Sequence, residues 1–234
     1  MGQSITSIKQ QNSKIDQKVK QAFGLLVPIS VFILFESFGK EILVFFDFKS
    51  KISTILFSSF TVWIILSATF CYSTFIENSK FILWKEEKKS LHFYVKSIIS
   101  LILLFAVIAM TANFIVQNFG FSSKRNLPDM GVFYKKYPFL IFIVAITAGF
   151  SEEIIFRGYM LPRLQNIFKD KYIAIIISAL LFGFAHFRYG TIIQILNPLL
   201  FGFLLALFYS KYRNLKVLVI AHFLWDFITL TFFS

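Results

Sequence analysis

Acidic residues, histidine and cysteine are all scarce in this chain, and each scarcity excludes something. One cysteine, Cys71, sits in an apolar run, so no intrachain disulfide can form and cysteine usage says nothing about redox compartment. Charged residues make up only 15% of 234 positions while 57% are hydrophobic, 33 of them Phe, which leaves too little polar surface for a soluble domain. No small-residue cleavage site closes the first apolar run, so no cleavable signal peptide is expected. Met1-Gly2-Gln3-Ser4-Ile5-Thr6 fits the myristoylation pattern but reads as a chance match, because one acyl chain adds little to a chain held by several spans. There is no soluble domain, low-complexity tract or obvious repeat, and no His-Glu-x-x-His metalloprotease signature.

What is present is a series of long apolar runs, the mark of membrane-spanning helices. The expected fold is an all-α polytopic membrane bundle of about seven transmembrane helices. The spans are placed at about Ala22 to Phe38, Ile52 to Ile76, Ser97 to Val116, Pro138 to Leu164, Tyr172 to Phe187, Thr191 to Tyr209 and Val217 to Phe233. Residues 40–51 read as an interfacial amphipathic piece, Glu77 to Lys96 as a charged loop, and the stretch with Lys124, Arg125, Pro128, Lys135 and Lys136 as a polar interruption. The net charge of +12 lies mostly between the runs, as topology signals and lipid-headgroup contacts do, so no nucleic-acid partner is expected. The positive-inside bias favours a cytosolic amino terminus in a cell-membrane protein, although Lys124 to Lys136 pulls the other way.

Against this background one stretch stands out: Gly149-Phe150-Ser151-Glu152-Glu153-Ile154-Ile155-Phe156-Arg157-Gly158. Two adjacent carboxylates inside a membrane helix cost several kcal/mol unless paired or hydrated, which makes them functional candidates. Glu153 and Arg157 are four apart on one helical face and can neutralise each other, whereas Glu152 points about 100° away and lacks that partner. Two of only three histidines also fall in spans: His186 after Phe182-Gly183-Phe184-Ala185, and His222 four residues before Asp226. His92 reads as interfacial. A single intramembrane histidine is ordinarily an interhelical hydrogen-bonding group. Two of them with an unpaired glutamate and an aspartate suit hydrolysis: a carboxylate in an apolar setting can take a proton from water, and a histidine can stabilise an oxyanion. The same side chains, Glu152, His186 and His222 above all, could instead hold zinc.

The order Glu-Glu-x-x-x-Arg (152–157), Phe-x-x-x-His (182–186) and His-x-x-x-Asp (222–226) resembles the CAAX protease and bacteriocin-processing family of membrane endopeptidases, which includes the type 2 CAAX prenyl protease. The resemblance covers about Pro138 to the carboxyl terminus, dividing the chain into a lead with three spans (1–137) and a catalytic core of four (138–234). It implies that Glu152 activates water with His186, that His222 and Asp226 form the oxyanion side, and that Glu153 and Arg157 are mainly structural. The prenyl-protease branch has Asn at the position of Asp226, so here the aspartate is read as orienting His222 or as protonated. The resemblance further implies a membrane-associated peptide or protein substrate in the bilayer and a mechanism without a metal cofactor. Oligomeric state and substrate identity are not legible. Two competing readings are a non-catalytic immunity or scaffold protein of the same fold, and a proton-coupled carrier. The intact quartet argues against the first. Against the second, no pair of Gly/Pro-broken helices occupies matching halves.

One expectation conflicts with the others. Counting about 30 Å of bilayer from Pro138 puts Glu152 about 9 Å from the inner face. His186, some fourteen residues along its span, then falls roughly 10 Å too far outward on the same rise.

Overall fold

A computed structural model describes residues 2–48, 50–119, 130–187 and 191–232. Among them there is no strand, and the chain is an all-α bundle. The helices are α1 (Gly2–Phe45), α2 (Lys51–Ile76), α3 (Leu91–Asn118), the short α4 (Met130–Lys136), α5 (Pro138–Phe168), α6 (Lys171–Ala185), α7 (Ile193–Tyr212) and α8 (Leu215–Phe232). Six of these (α1, α2, α3, α5, α7 and α8) are long and apolar enough to cross a membrane. The seventh expected span is α6, which has only 15 residues, about 22 Å of helix and shorter than a typical crossing.

Two further expectations change. Residues 40–45 continue α1 with no separate interfacial piece, and only Phe46 to Phe48 turn away from it. Glu77, assigned to a charged loop, is almost wholly buried. Lys49, Lys124, Arg125, Pro128 and Arg188 lie outside the described residues.

The helix starts follow the sequence chemistry. Ser50 and Ser90 cap α2 and α3, their hydroxyls accepting from the backbone of Ser53 and Phe93. Asp170 caps α6 by accepting from the amides of Tyr172 and Ile173. Large apolar side chains such as Phe114, Leu103 and Phe184 remain on the outside, as a lipid-facing bundle requires. Inside, one core joins Leu101, Phe105, Leu161, Leu205, Leu218 and Ala221 from α3, α5, α7 and α8.

Helix α5 carries the glutamate pair, and it is not a regular α-helix. Its centre widens into π turns over Ala148–Glu152 and Ile154–Met160. Pro162, in the first turn after them, has no N–H to offer Gly158 and its ring crowds the preceding turn, a strain that wider turns accommodate. The helix nonetheless runs 31 residues, through to Phe168. There Lys169 adopts a left-handed conformation (φ 60°) and the chain reverses into α6.

This length removes the conflict over depth. Glu152 lies 16 residues before Phe168 and His186 lies 15 residues after Lys171. On a helical rise both sit about 22–24 Å from the same hairpin turn. The two residues are level because α5 overshoots a 30 Å slab by several turns, so a bilayer measured from Pro138 ends too early.

Candidate active site

Glu153 is fully buried and makes two contacts through one oxygen. Its Oε1 accepts from Arg157 Nη1 at 2.6 Å and lies 2.9 Å from His222 Nδ1. The arginine, also fully buried, donates from Nη2 to the carbonyl of Gly202 on α7 at 3.2 Å. Its guanidinium lies 4.3 Å from the centre of the Phe182 ring on α6. One ion pair on α5 thus ties together α5, α6, α7 and α8. Glu153 and Arg157, expected as a mainly structural ion pair, do pair, and the same carboxylate also contacts a histidine of the motif set.

His222 stands between two carboxylates. Opposite Glu153, its Nε2 lies 3.5 Å from Asp226 Oδ2, one turn along α8. An ionised carboxylate only accepts hydrogen bonds, so a proton must sit between each nitrogen and its partner for both contacts to be favourable. Asp226 also lies within electrostatic reach of Glu152, Glu153 and His186. The four residues of the motif set therefore share one region of the bundle.

Glu152 differs from its neighbour. Both glutamates have a shielded Oε2 with no hydrogen-bond partner among the described residues, but Glu152 is only partly buried and, unlike Glu153, has no hydrogen bond through its other oxygen either. It lies within electrostatic reach of Arg157, His222 and Asp226. A carboxylate given no protein donor through either oxygen is suited to act on a water or substrate proton rather than to hold the fold together.

His186 caps α6, with Nδ1 2.8 Å from the carbonyl of Phe182. A carbonyl only accepts, so Nδ1 carries a proton and donates it to Phe182. Phe182 fills the space between the cations and rings of the site. Its centre is 5.0 Å from that of His186, 6.1 Å from that of His222 and 5.0 Å from that of Phe156, the last edge-on at 89°. The sequence reading named Phe182 as part of the Phe-x-x-x-His motif but gave it no role. The signal available was its place one turn before His186, on the face that meets α5.

Gly149 sets how closely α5 and α8 approach. A Cβ there would lie 2.7 Å from the amide nitrogen of Phe223 and 2.9 Å from its Cα, both backbone atoms that cannot swing aside. Glycine lets the two helices touch next to His222, which brings that ring to Glu153. From the other side, Trp63 of α2 donates to Thr147 Oγ1 at 3.1 Å and stacks on Phe150 at 5.6 Å, bracing the first π turn.

A second buried polar cluster lies further along α5. Glu77, just past the end of α2, accepts from Tyr159 at 2.8 Å and from Arg163 Nε at 2.9 Å, and pairs with Arg163 Nη2 as well. Arg163 and Tyr159 are fully buried, and the guanidinium stacks 3.6 Å from the tyrosine ring centre. Burial pushes the Glu77 carboxyl up, but the hydrogen bonds and charge of Arg163, with help from Ser79 and Tyr159, hold it below its ordinary value. Nothing in spacing links positions 77 and 163, so this pair was not legible.

Among the described residues no group of three or more His, Cys, Asp and Glu side chains converges as metal ligands would. His222 has both ring nitrogens directed at carboxylates and His186 has Nδ1 turned to a backbone carbonyl. Donors converging as a zinc site needs are thus not seen among the described residues, although His186, with Nδ1 on a backbone carbonyl, is oriented as a ligating histidine would be.

Comparison with known proteins finds a family model that matches one segment of the chain. Residues 134–228 match the family model described as type II CAAX prenyl endopeptidase Rce1-like, a segment that contains Glu152, Glu153, Arg157, His186, His222 and Asp226. The resemblance carried by the three motifs thus holds for that segment. The chain is also 30% identical over 142 residues to UPF0177 protein YvdC of Lactococcus lactis subsp. lactis (strain IL1403), a match covering 56% of this chain and 50% of the relative. It therefore spans about half the length of that curated relative. No solved structure matches the chain.

Proposed function

We propose that the protein is an intramembrane endopeptidase that hydrolyses a peptide bond in a membrane-associated peptide or protein, without a metal. The observation that carries this reading is the contrast between the two glutamates. Glu153 is committed through Oε1 to Arg157 and His222, although its Oε2 is unpartnered, while the neighbouring Glu152 has no hydrogen bond or ion pair among the described residues through either oxygen. Glu152 accepts a proton from a water that His186 orients through Nε2, and the water oxygen bonds to the scissile carbonyl carbon. The carbonyl π electrons move to oxygen, and His222, held at Nδ1 by Glu153, turns its Nε2–H from the longer 3.5 Å contact with Asp226 to that oxyanion. As the tetrahedral centre collapses the C–N bond breaks, and Glu152 returns its proton to the departing amine. Asp226 orients His222 and does not itself face the oxyanion, which an ionised carboxylate would repel.

Residues 138–234 form the catalytic core in this reading. Helices α2 and α3 act as a brace through Trp63 to Thr147, Glu77 (just past α2) to Arg163 and the packing of Phe105 against Trp225. The amino terminus is placed in the cytosol by the positive-inside bias, in a multi-pass cell-membrane protein. The test is a cleavage screen against membrane peptides with detergent-purified protein, run before and after exhaustive chelation. Cleavage that survives chelation supports the proposal. Cleavage that is lost and then restored by zinc overturns its metal-free part.

A further inference from the structure

A groove of about 770 Å³ opens on the outside of the bundle between the start of α3, the start of α6 and the end of α7, away from the glutamate and histidine motifs. Its wall is apolar, built from residues such as Leu101, Leu104, Ile175, Leu204, Leu207 and Phe208. Its rim carries Lys96, Lys171 and Lys211, with the hydroxyls of Ser97, Ser100 and Ser210.

The charge of this groove is one-sided. No carboxylate lines it, and among the described residues none of the three lysines has an ion-pair partner. All three are exposed. The nearest acid in sequence, Asp170, is occupied as the cap of α6. Lys171 and Lys211 lie 4.8 and 5.0 Å from the ring centres of Tyr172 and Tyr212, which gives their side chains aromatic support at the rim. Lys96 stands in the second turn of α3, Lys171 begins α6 and Lys211 stands in the last turn of α7, so all three lie near ends of apolar helices, where basic side chains ordinarily meet lipid headgroups, and the apolar wall continues from them along the helices.

We propose that this groove is a binding site for one anionic phospholipid, its phosphate held by Lys96, Lys171 and Lys211 and its acyl chains laid along Leu104, Leu204, Leu207 and Phe208. Charge complementarity selects the occupant: a neutral lipid would satisfy the wall but leave three cations crowded without counter-charge, and a free phosphate would satisfy the cations but leave the wall bare. The inference stands on this groove alone and does not depend on the proteolytic reading.

The experiment is native mass spectrometry of the whole protein released from mixed micelles of phosphatidylglycerol and phosphatidylcholine, with retention followed as the anionic lipid is diluted. Parent protein should keep one phosphatidylglycerol. The K96Q/K171Q/K211Q variant should lose about fivefold in affinity per lysine, on the order of a hundredfold in all. Replacing Lys14, Lys18 and Lys88, which lie outside the groove, by Gln removes the same charge and should leave retention unchanged. Leu204→Trp keeps the lysines but fills the wall, and should also release the lipid, so the proposal remains testable if the triple variant does not fold. Equal retention in the triple variant and Leu204→Trp, equal retention of phosphatidylcholine, or displacement by inorganic phosphate at the concentration of the lipid would each overturn it.

Discussion

Removing Arg157 tests how far the site depends on its buried ion pair. Arg157→Met deletes the 2.6 Å contact to Glu153, the 3.2 Å bond to the Gly202 carbonyl and the stacking on Phe182, and leaves the Glu153 carboxylate buried against His222 alone. Breaking a buried pair from one side costs about 3–5 kcal/mol, because the remaining charge stays desolvated. Glu153→Leu should cost a similar amount by stranding the guanidinium. Replacing both by apolar residues removes both stranded charges, and such double changes range from neutral to stabilising by about 1–4 kcal/mol. The double variant should therefore melt close to the parent and well above either single variant. Activity should not follow stability. Without Glu153 the Nδ1 side of His222 has no partner, and the ring keeps only the longer 3.5 Å contact to Asp226. Cleavage should fall by about 10²–10³, the usual loss when an oxyanion donor is removed or misaligned. The assay pairs thermal unfolding in detergent, followed by size exclusion, with peptide hydrolysis at a temperature where all four proteins are folded. A double variant as active as the parent would refute the idea that Glu153 positions His222.

Further expectations follow from other contacts. Glu77→Gln should lower stability by about 3–5 kcal/mol at neutral pH by stranding Arg163. Because Glu77 titrates below its ordinary value of 4.5 in the folded protein, its stabilisation is complete above that value and lost as pH falls through the lowered one. Acid melts of parent and Glu77→Gln should thus converge at low pH, and a constant gap would count against the assignment. Gly149→Ala should force α8 away from α5 at Phe223, costing about 1–3 kcal/mol and reducing cleavage more than binding of an inhibitory peptide. Equal loss of both would argue for general unfolding. Phe182→Leu should leave a folded protein whose kcat falls while KM changes little, since the ring touches the two histidines and Arg157 and not the lipid-facing surface.

Much of this was legible because membrane helices announce themselves: spans two to four and the last two were placed within a few residues by apolar length alone. The three motifs, too, could be seen in the sequence, since charged and imidazole side chains at such depth are rare. What sequence could not supply were facts of registry between helices. An ideal helical wheel assigns Glu153 to Arg157, but only the approach of α8 over Gly149 reveals that His222 joins them. The pairing of Glu77 with Arg163 spans 86 positions and leaves no periodic trace. The end of α5 was placed four residues short, at Leu164, and the depth of Glu152 was misjudged because a 30 Å slab was counted from Pro138, whereas the helix is about 46 Å long and runs on through Gln165 and Asn166 to Phe168.

The measurement that bears most directly on the account is the single-turnover rate of peptide cleavage by Glu152→Gln beside that of Glu153→Gln, each corrected for the folded fraction. Glutamine keeps the size and some hydrogen bonding of either side chain but cannot accept a proton from water. The account predicts that Glu152→Gln is as stable as the parent and loses cleavage by about 10²–10⁴, while Glu153→Gln loses stability and is affected in cleavage through His222. A Glu152→Gln protein that folds normally and cleaves at the parental rate would contradict it.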